Sequence, residues 1–298
     1  MRGTPATIHS RMMTNTRIHG RATALALLLA LPLFAQVADG DRHYAARAEG
    51  AAGAKAKSQH VDAAMAAYEK ALAANPNDVV AHARLLRAYR FKGAYVAANN
   101  EEKKKVYGAA KAAGDRALAV VGRLVAAKGV KADAPENKVA EVARGIDGAA
   151  EVYVWDAVNW GEWALAYGKM AAARQGAADR IRREATIAHL VSPSLEGGAP
   201  SRVLGRLHDQ TPRIPFLTGW ASSKESLRFL NESLRHDPSN KVTLVFLAEA
   251  TMSNDSGKKA QAIALLRRVV SEPIHTEYAV EDAAAVEDAK GLLKKWGT

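Results

Sequence analysis

The stretch AMAAYEKALAANPN, residues 64–77, decides the fold of this chain of 298 residues. Small alanines at Ala64 and Ala71 flank Tyr68 at helical spacing, and the stretch ends on Asn75-Pro76-Asn77. Small residues let two helices approach closely, and an aromatic side chain fills the groove between them. Proline cannot continue a helix but suits the turn that starts the next one. The stretch therefore predicts a helix that ends at a tight turn and packs closely on its neighbour.

Two later segments end in the same way. They are Ile187-Ala188 running into Ser192-Pro193-Ser194, and Phe229-x3-Ser233 running into Asp237-Pro238-Ser239. The spacing small-x3-aromatic-x2-small-x4-Pro is the second half of the tetratricopeptide pattern, and Leu85-Leu86, Tyr89 and Gly93 fit the first half in the helix that follows. The recurrence predicts an all-α fold, a tetratricopeptide-like helical-hairpin stack of the α-solenoid type.

Composition supports the same fold class. The chain is 48% hydrophobic, which is enough for a sizeable core, and it is rich in residues that favour helix. Sustained polar/apolar alternation of the strand type is absent from the sequence, and β-branched residues such as Val139, Val142 and Ile146 fall singly within helical spacing. We therefore expect almost no strand.

The apolar periodicity and the Gly/Pro breaks predict where the helices lie. The predicted ranges are 60–75, 78–92, a charged helix from about 99 past Leu124, a helical stretch from 139 to 174 interrupted only near Gly145 and Gly148, 177–191, 222–236, 240–253, 258–271 and 280–296.

The first 38 residues have the pattern of an export signal. Four arginines precede an apolar run from Ala22 to Phe34, and Ala35 and Ala38 offer small residues for cleavage. A membrane-spanning helix needs roughly 18 or more apolar residues, and this run is shorter. The sequence predicts a signal peptide over residues 1–38, cleaved near residue 35 to 38, and a helical domain over 39–298. An uncleaved short anchor is the alternative.

Absent cysteine and mixed charge exclude several classes of function. With no cysteine, the chain has no disulfide, no thiol nucleophile, no thiolate metal site and no cysteine for a lipid anchor. The formal net charge is +11, but lysines 103–105 follow Glu101-Glu102, and no basic stripe is interleaved with stacking aromatics. The sequence therefore predicts no nucleic-acid partner.

An aromatic segment is the first of two candidate sites. At 100° per residue, Trp160, Trp163 and Tyr167 lie on one face of a helix. Asp156 lies on the same face, and Trp155 and Asn159 lie on an adjoining one. The candidate residues are Tyr153, Trp155, Asp156, Asn159, Trp160, Trp163 and Tyr167. A central helix that fills wide grooves between its neighbours explains this pattern. A cavity for an apolar ligand, with Asn159 as its polar contact, is the alternative.

A glycine-rich loop is the second candidate. Two glycines free the backbone, proline suits a first helical turn, and a third glycine on the new helix permits a close crossing. The candidate residues are Gly197, Gly198, Pro200, Arg202 and Gly205. The glycine spacing is wrong for a phosphate cradle of the dinucleotide type, and no strand precedes it. A tight turn with a close helix crossing is the favoured interpretation.

The sequence gives little support to catalysis. The nine histidines lack the spacing that places two metal ligands on one helix face, and Gly-x-Ser-x-Gly is absent. Acidic pairs such as Glu281-Asp282 are predicted to be solvated, and Asp156 is predicted to be a hydrogen-bonded structural residue. We therefore predict no catalytic residues, no metal and no cofactor; an enzyme would require acids and histidines buried around Asp156.

Together these motifs resemble the TatT family, the tetratricopeptide-like T components associated with tripartite ATP-independent periplasmic (TRAP) transporters. The resemblance rests on Tyr153-x-Trp155-x-Ala157-x-Asn159-x-Gly161-x-Trp163-Ala164, Ser192-Pro193 and Gly197-Gly198-x-Pro200-x-Arg202-x-x-Gly205. It implies a periplasmic, non-enzymatic accessory protein that docks onto the substrate-binding component of the transporter, holds an apolar ligand and forms a homo-oligomer, a trimer in known cases. A general envelope scaffold that binds a protein or peptide is the alternative.

Overall fold

A computed structural model describes residues 35–215 and 218–297, and the predicted export signal lies, up to residue 34, outside the described residues. The described part is all-α. Its helices are α1 (residues 35–45), α2 (Ser58–Ala74), α3 (Val79–Phe91), α4 (Asn100–Ala126), α5 (Glu136–Ala143), α6 (Ala149–Tyr167), α7 (Lys169–Arg174), α8 (Ala177–Val191), α9 (Leu195–Gln210), α10 (Ser223–His236), α11 (Lys241–Asn254), α12 (Lys259–Ser271) and α13 (Ala279–Lys295).

Short helical turns join some of these elements. They are three 3₁₀ turns at Ala46–Ala48, Ser256–Lys258 and Thr276–Tyr278, and a π-helical turn at Lys92–Val96. Over residues 35–215 and 218–297 no β-strand forms, and the extended pairing there is one isolated bridge between Ala52 and Lys55. The predicted fold class, an all-α stack of helical hairpins, is therefore confirmed.

Local capping sets several helix starts. The Asp78 carboxylate accepts a hydrogen bond from the Ala81 amide at 2.9 Å, and Asn240 accepts one from the Thr243 amide at 3.0 Å. Such caps satisfy amides that have no partner inside the helix. Both caps follow an Asn-Pro or Asp-Pro turn, so the motif that predicted the turn also fixes where the next helix begins.

One predicted helix is divided by a glycine that we did not expect to act as a break. The stretch up to residue 174 was predicted to be interrupted only near Gly145 and Gly148, but Gly168 separates α6 from α7 with a φ of 92°. Residues that carry a side chain rarely adopt such a positive φ, so glycine suits this position. As a result, α7 is a separate short helix at the end of the aromatic helix.

Consecutive helices pack on each other along the chain, with α6 central in the first half. It packs on α3, α4, α8 and α9, while α9 to α13 continue the stack through successive pairs. The core is correspondingly divided: one cluster joins α3 to α6 with α8, and another joins α11, α12 and α13. Each helix therefore buries its apolar face mainly against near neighbours, as a repeat stack requires.

The two ends of the stack meet. Val280 of α13 is fully buried in the same cluster as Tyr44 and Phe91 from the N-terminal hairpins. Beside it, Arg47 donates to the Glu281 carboxylate at 2.9 Å and to the Glu277 carbonyl at 2.6 Å. The prediction that Glu281-Asp282 is solvated was wrong: Glu281 holds this contact region together, and Asp282 is buried.

Asp282 is the other half of that correction. It is buried, and it accepts hydrogen bonds from the His275 amide at 2.9 Å and pairs with the His275 ring at 2.8 Å. Neither helix periodicity nor local charge pattern shows which neighbours an acidic pair meets, whether Arg47 near the other end of the chain or His275 seven residues away. In the described part of the chain, no helix is both long and apolar enough to cross a membrane.

Candidate functional site

The predicted aromatic face forms inside the stack. Trp160 and Trp163 are buried with ring centroids 5.6 Å apart, and Tyr167 stacks on Trp163 at 4.7 Å. Tyr153 is buried in the neighbouring cluster, whereas Trp155 is only partly buried. The shared face of Trp160, Trp163 and Tyr167 is as predicted. It begins in the core and reaches solvent at Tyr167, which is 43% exposed.

A lysine closes the outer side of the two buried indoles. The ammonium of Lys111, on α4, lies 3.9 Å from the Trp160 ring centroid and 3.8 Å from that of Trp163, and it also donates to the Gln175 side chain. A cation over an aromatic face is attracted by the electron-rich ring. The indoles are therefore covered by protein on the side that faces solvent.

Asp156 lies at the centre of a buried charge cluster on the same helix. It is fully buried, and its Oδ2 accepts a hydrogen bond from Arg180 Nη2 at 2.8 Å; Arg180 Nε also donates to Glu184 at 2.9 Å. Arg180 reaches the exposed Asp115 as well, at 2.9 Å. Two buried carboxyls therefore depend on one guanidinium. The predicted hydrogen bonding of Asp156 is confirmed.

Burial dominates the proton affinities in this cluster. Burial raises the pKa of Glu184 well above its ordinary value of 4.5, and the charge of Asp156 raises it further against the effect of Arg180. The pKa of Asp156 is also raised by burial, although Arg180 lowers it. Like charges in one buried site cannot both ionise cheaply. Both carboxyls therefore have a raised pKa.

Asn159 ties α6 to α3. It is fully buried, and its Nδ2 donates to the Leu86 carbonyl at 3.0 Å, while its Oδ1 has no hydrogen-bond partner among the described residues. The donor side of this amide is thus committed to the backbone of a neighbouring helix. The arrangement favours packing over ligand contact at this position.

The glycine loop makes the predicted tight turn. Glu196, Gly197 and Gly198 have φ values of 47°, 62° and 79°, so the chain is left-handed over three residues before the regular turns of α9. An added Cβ would lie 2.9 Å from Ser233 Cα at Gly198, and 2.6 Å from Leu230 Cγ at Gly205. Only glycine fits these approaches to α10, so the predicted close helix crossing is confirmed.

The two candidate sites meet only through the core. Leu204 and Leu207 of α9 belong to the cluster that holds Trp160 and Trp163, and Pro200 is buried at the start of the same helix. Arg202 instead contacts the loop and α11: its guanidinium donates to the Gly197 and Glu196 carbonyls at 3.5 and 3.4 Å and to Thr243 Oγ1 at 3.3 Å. One site is apolar packing and the other is a polar brace.

A hydroxyl, an imidazole and a carboxylate lie in a row that the sequence did not predict. Ser201 Oγ lies 3.1 Å from His189 Nδ1, and His189 Nε2 lies 3.6 Å from Glu232 Oε1. These residues stand on three different helices, so no local spacing could reveal them. The order is that of a nucleophilic triad, but Ser201 is completely buried. A substrate cannot reach the hydroxyl, and the row joins α8, α9 and α10 structurally.

Two adjoining grooves lie away from both candidate sites. They have volumes of about 450 and 230 Å³ and run between α2, the π-helical turn and α4. Both contain Lys92, Lys105 and Val106 in their walls. Neither groove includes a residue of α6 or of the glycine loop.

An exposed apolar patch covers the junction of α6 and α7. We define the α6–α7 patch as Leu165, Tyr167 and Met170, which are 76%, 43% and 70% exposed. Lys169 and Arg174 lie beside it at the ends of α7, and neither makes an ion pair with a described residue. The patch therefore combines exposed apolar area with unpaired positive charge.

The described residues contain no group of three or more His, Asp or Glu side chains placed to hold a metal ion. No protein-family model matches the chain, and no curated protein matches it.

Proposed function

We propose that this protein is an exported, non-enzymatic helical-repeat adaptor, the accessory component of a TRAP-type transport system. It docks on the substrate-binding component of that system in the periplasm and assembles as a homo-oligomer, with a trimer as the expected state. The resemblance of the aromatic helix and the glycine loop to the TatT family supports this proposal. The Trp cluster serves the core of the adaptor, because its indoles are buried and covered.

The α6–α7 patch is the observation that carries the docking role. Three large apolar side chains stand exposed within six residues of chain, although most of α6 is buried. Contiguous exposed apolar groups on a folded protein mark surfaces that bind other proteins. The end of α6 that carries them is held in place, because Tyr167 stacks on the buried Trp163 and Asn100 Nδ2 donates to the Ala166 carbonyl at 3.1 Å.

The charge around the patch indicates what the partner surface carries. Lys169 and Arg174 flank the apolar side chains without an ion pair to a described residue, and Lys104, which pairs with Glu101 at 2.7 Å, lies 5.7 Å from the centre of the Tyr167 ring. Unpaired cations at the rim of an interface speed association with an acidic partner. The adaptor is therefore expected to meet a substrate-binding protein through an apolar spot with an acidic border.

Isothermal titration tests this proposal. The substrate-binding protein encoded in the genes adjoining this one is titrated into the wild-type protein and into the double variant Leu165→Asp with Met170→Asp. The matched control is Ile274→Asp, because Ile274 is also exposed, at 49%, but lies on the last loop. We expect wild type and control to bind and the double variant to lose binding. Absence of such a gene, no heat of binding with wild type, or full binding by the double variant would refute the docking role.

The two grooves favour a second candidate, a general envelope scaffold that binds an extended peptide. Lys105 lines both grooves and makes no ion pair within the described residues, whereas Lys92 pairs with Asp62 at 2.7 Å. An acidic side chain of a peptide would complement Lys105. Binding that is lost in Lys105→Glu and kept in the double patch variant would favour the scaffold over the transport adaptor.

A further inference from the structure

A histidine of α9 holds the residues that lead into α10. We define the entry turn as residues 218–222, which end at Ser222, the N-cap of α10. Within the described part of the chain, two hydrogen bonds tie this turn to α8 and α9. Trp220 Nε1 donates to the exposed Asp179 at 3.0 Å, and the Ser222 amide donates to His208 Nδ1 at 3.2 Å. The second bond joins the N-cap of α10 directly to α9.

The bond from the Ser222 amide requires a neutral His208. A backbone N–H can only donate, so Nδ1 of the ring must offer a lone pair. The Nε2 atom of His208 makes no hydrogen bond to a described residue, and it carries the single proton of the neutral ring. In an imidazolium both ring nitrogens carry a proton, and the Nδ1–H would then point at the Ser222 N–H. Protonation of His208 therefore replaces an attractive contact with the meeting of two donors.

His208 packs against two aromatic rings that already have a cation over them. Its ring centroid lies 5.3 Å from that of Trp220 and 5.9 Å from that of Phe229. The Arg182 guanidinium lies 4.6 Å from the Trp220 ring centroid, and the Arg228 guanidinium lies 3.7 Å from that of Phe229. Aromatic faces attract cations, but each of these rings already has one. A further positive charge on His208 is therefore repelled by both arginines.

The charged groups that act on His208 come from α8 and α10. Burial lowers the pKa of His208; Glu225 raises it, and Arg182 and Arg228 lower it. The Glu225 carboxylate is itself paired with Arg228 at 2.7 Å. On α9, the neighbouring Asp209 pairs with an arginine of its own helix at 3.4 Å. The neutral ring is therefore the favoured form while the turn is bound, and His208 takes a proton as the pH falls below its ordinary pKa of 6.5.

A second histidine lies nearby but does not hold the turn. His189 of α8 contacts the same Phe229 ring, with centroids 5.7 Å apart. Its Nδ1 lies 3.1 Å from Ser201 Oγ, and its Nε2 lies 3.6 Å from Glu232 Oε1. Both of its ring nitrogens therefore face α9 and α10. His208 is the histidine that accepts a hydrogen bond from the entry turn.

We propose that His208 is a pH-sensitive clamp, which holds the entry turn and the start of α10 on α9 and releases them at acidic pH. In the neutral ring Nδ1 accepts the Ser222 amide, and in the charged ring it cannot. Release moves Ser222 from its place as N-cap, where its Oγ accepts the Glu225 amide at 3.4 Å. It also exposes Trp220 and Phe229, which are partly buried in the closed form. The clamp does not depend on the docking role of the α6–α7 patch.

Fluorine NMR of the full chain labelled with 5-fluorotryptophan tests the clamp. The chain has five tryptophans, and the Trp220 resonance is the one that disappears in Trp220→Phe. Spectra are recorded from about pH 8 to about pH 5 for wild type and for His208→Asn, whose side-chain oxygen can accept the Ser222 amide but does not titrate. We expect the wild-type Trp220 resonance to shift with a midpoint below pH 6.5, and by more than the other tryptophan resonances. In His208→Asn it should keep its position.

His189→Asn is the matched control, because His189 meets Phe229 but not the entry turn, and it should keep the wild-type shift. Circular dichroism identifies a variant that fails to fold. If His208→Asn does not fold, ¹⁵N spectra of wild type decide, since His208 Nδ1 should lack a proton at about pH 8 and gain one over the range in which Trp220 shifts. A proton on Nδ1 at that pH, a Trp220 resonance that does not shift in wild type, or a shift that persists in folded His208→Asn overturns the clamp, whatever the patch variants show.

Discussion

Substituting Gly114 by alanine tests the helix crossing at the centre of the stack. Gly114 lies on α4, and a Cβ there would come within 1.6 Å of Asp156 Oδ1 and 2.6 Å of its Cγ. These distances are far below any van der Waals contact, so Asp156 must move or the two helices must separate. Asp156 is fully buried and bound to Arg180 at 2.8 Å, and neither change leaves that pair intact.

The expected change in the free energy of unfolding is the difference between two opposing contributions. Replacing glycine by alanine inside a helix gains about 1 kcal/mol. Breaking a buried ion pair costs about 3–5 kcal/mol. We therefore expect Gly114→Ala to lower the free energy of unfolding by about 2–4 kcal/mol. The matched control is Gly161→Ala on α6, where a Cβ meets nothing within 4 Å, and it should raise stability by up to about 1 kcal/mol.

Urea unfolding followed by circular dichroism measures both variants. We expect Gly114→Ala to lower the free energy of unfolding and Gly161→Ala to raise it. The double variant Gly114→Ala with Asp156→Ala should destabilise less than the sum of its two single changes, because removing Asp156 also removes the clash. Two stabilising alanines, or strict additivity of the double variant, would refute the close crossing of α4 and α6.

Three further predictions concern buried groups. Burial raises the pKa of Glu184, so the folded state binds this proton more tightly than the unfolded state does. The free energy of unfolding should therefore fall as pH rises from about 4.5 through the raised pKa. Urea unfolding at several pH values should show a smaller fall in Glu184→Gln. Lys241 is fully buried and donates to the Val269 and Glu272 carbonyls at 2.9 Å each, so Lys241→Met should cost about 2–4 kcal/mol in urea unfolding, and no loss would contradict the buried bonds. Trp160→Ala should cost about 3–5 kcal/mol, and an intact stability would instead indicate an indole that lines a cavity.

Local chemistry made the helices predictable. The range 177–191 was predicted for α8 and is found as Ala177–Val191, and the predicted ends of α10 and α12 at residues 236 and 271 are also confirmed. Proline turns, capping side chains and apolar spacing act within a few residues, so they can be read from the chain. Gly168 was missed because a single glycine in a helical pattern is a weak signal.

The aromatic face and the glycine turn were also readable, since both depend on residues close in sequence. Their surroundings were not. The sequence indicated that Asp156 would be hydrogen-bonded, but not that Arg180 and Glu184 share its site. It also did not indicate which groups surround Arg202. The prediction for Glu281 failed because its partner, Arg47, lies at the far end of the chain.

By itself, the sequence determined the all-α class, the helix ends and the faces that become core, because backbone sterics, capping and periodicity are local properties. The tertiary structure decided which buried charges meet, which serine is sealed from solvent and which histidine accepts a backbone amide. These are differences between desolvation and pairing energies, and they depend on neighbours that only the packing of distant helices brings together.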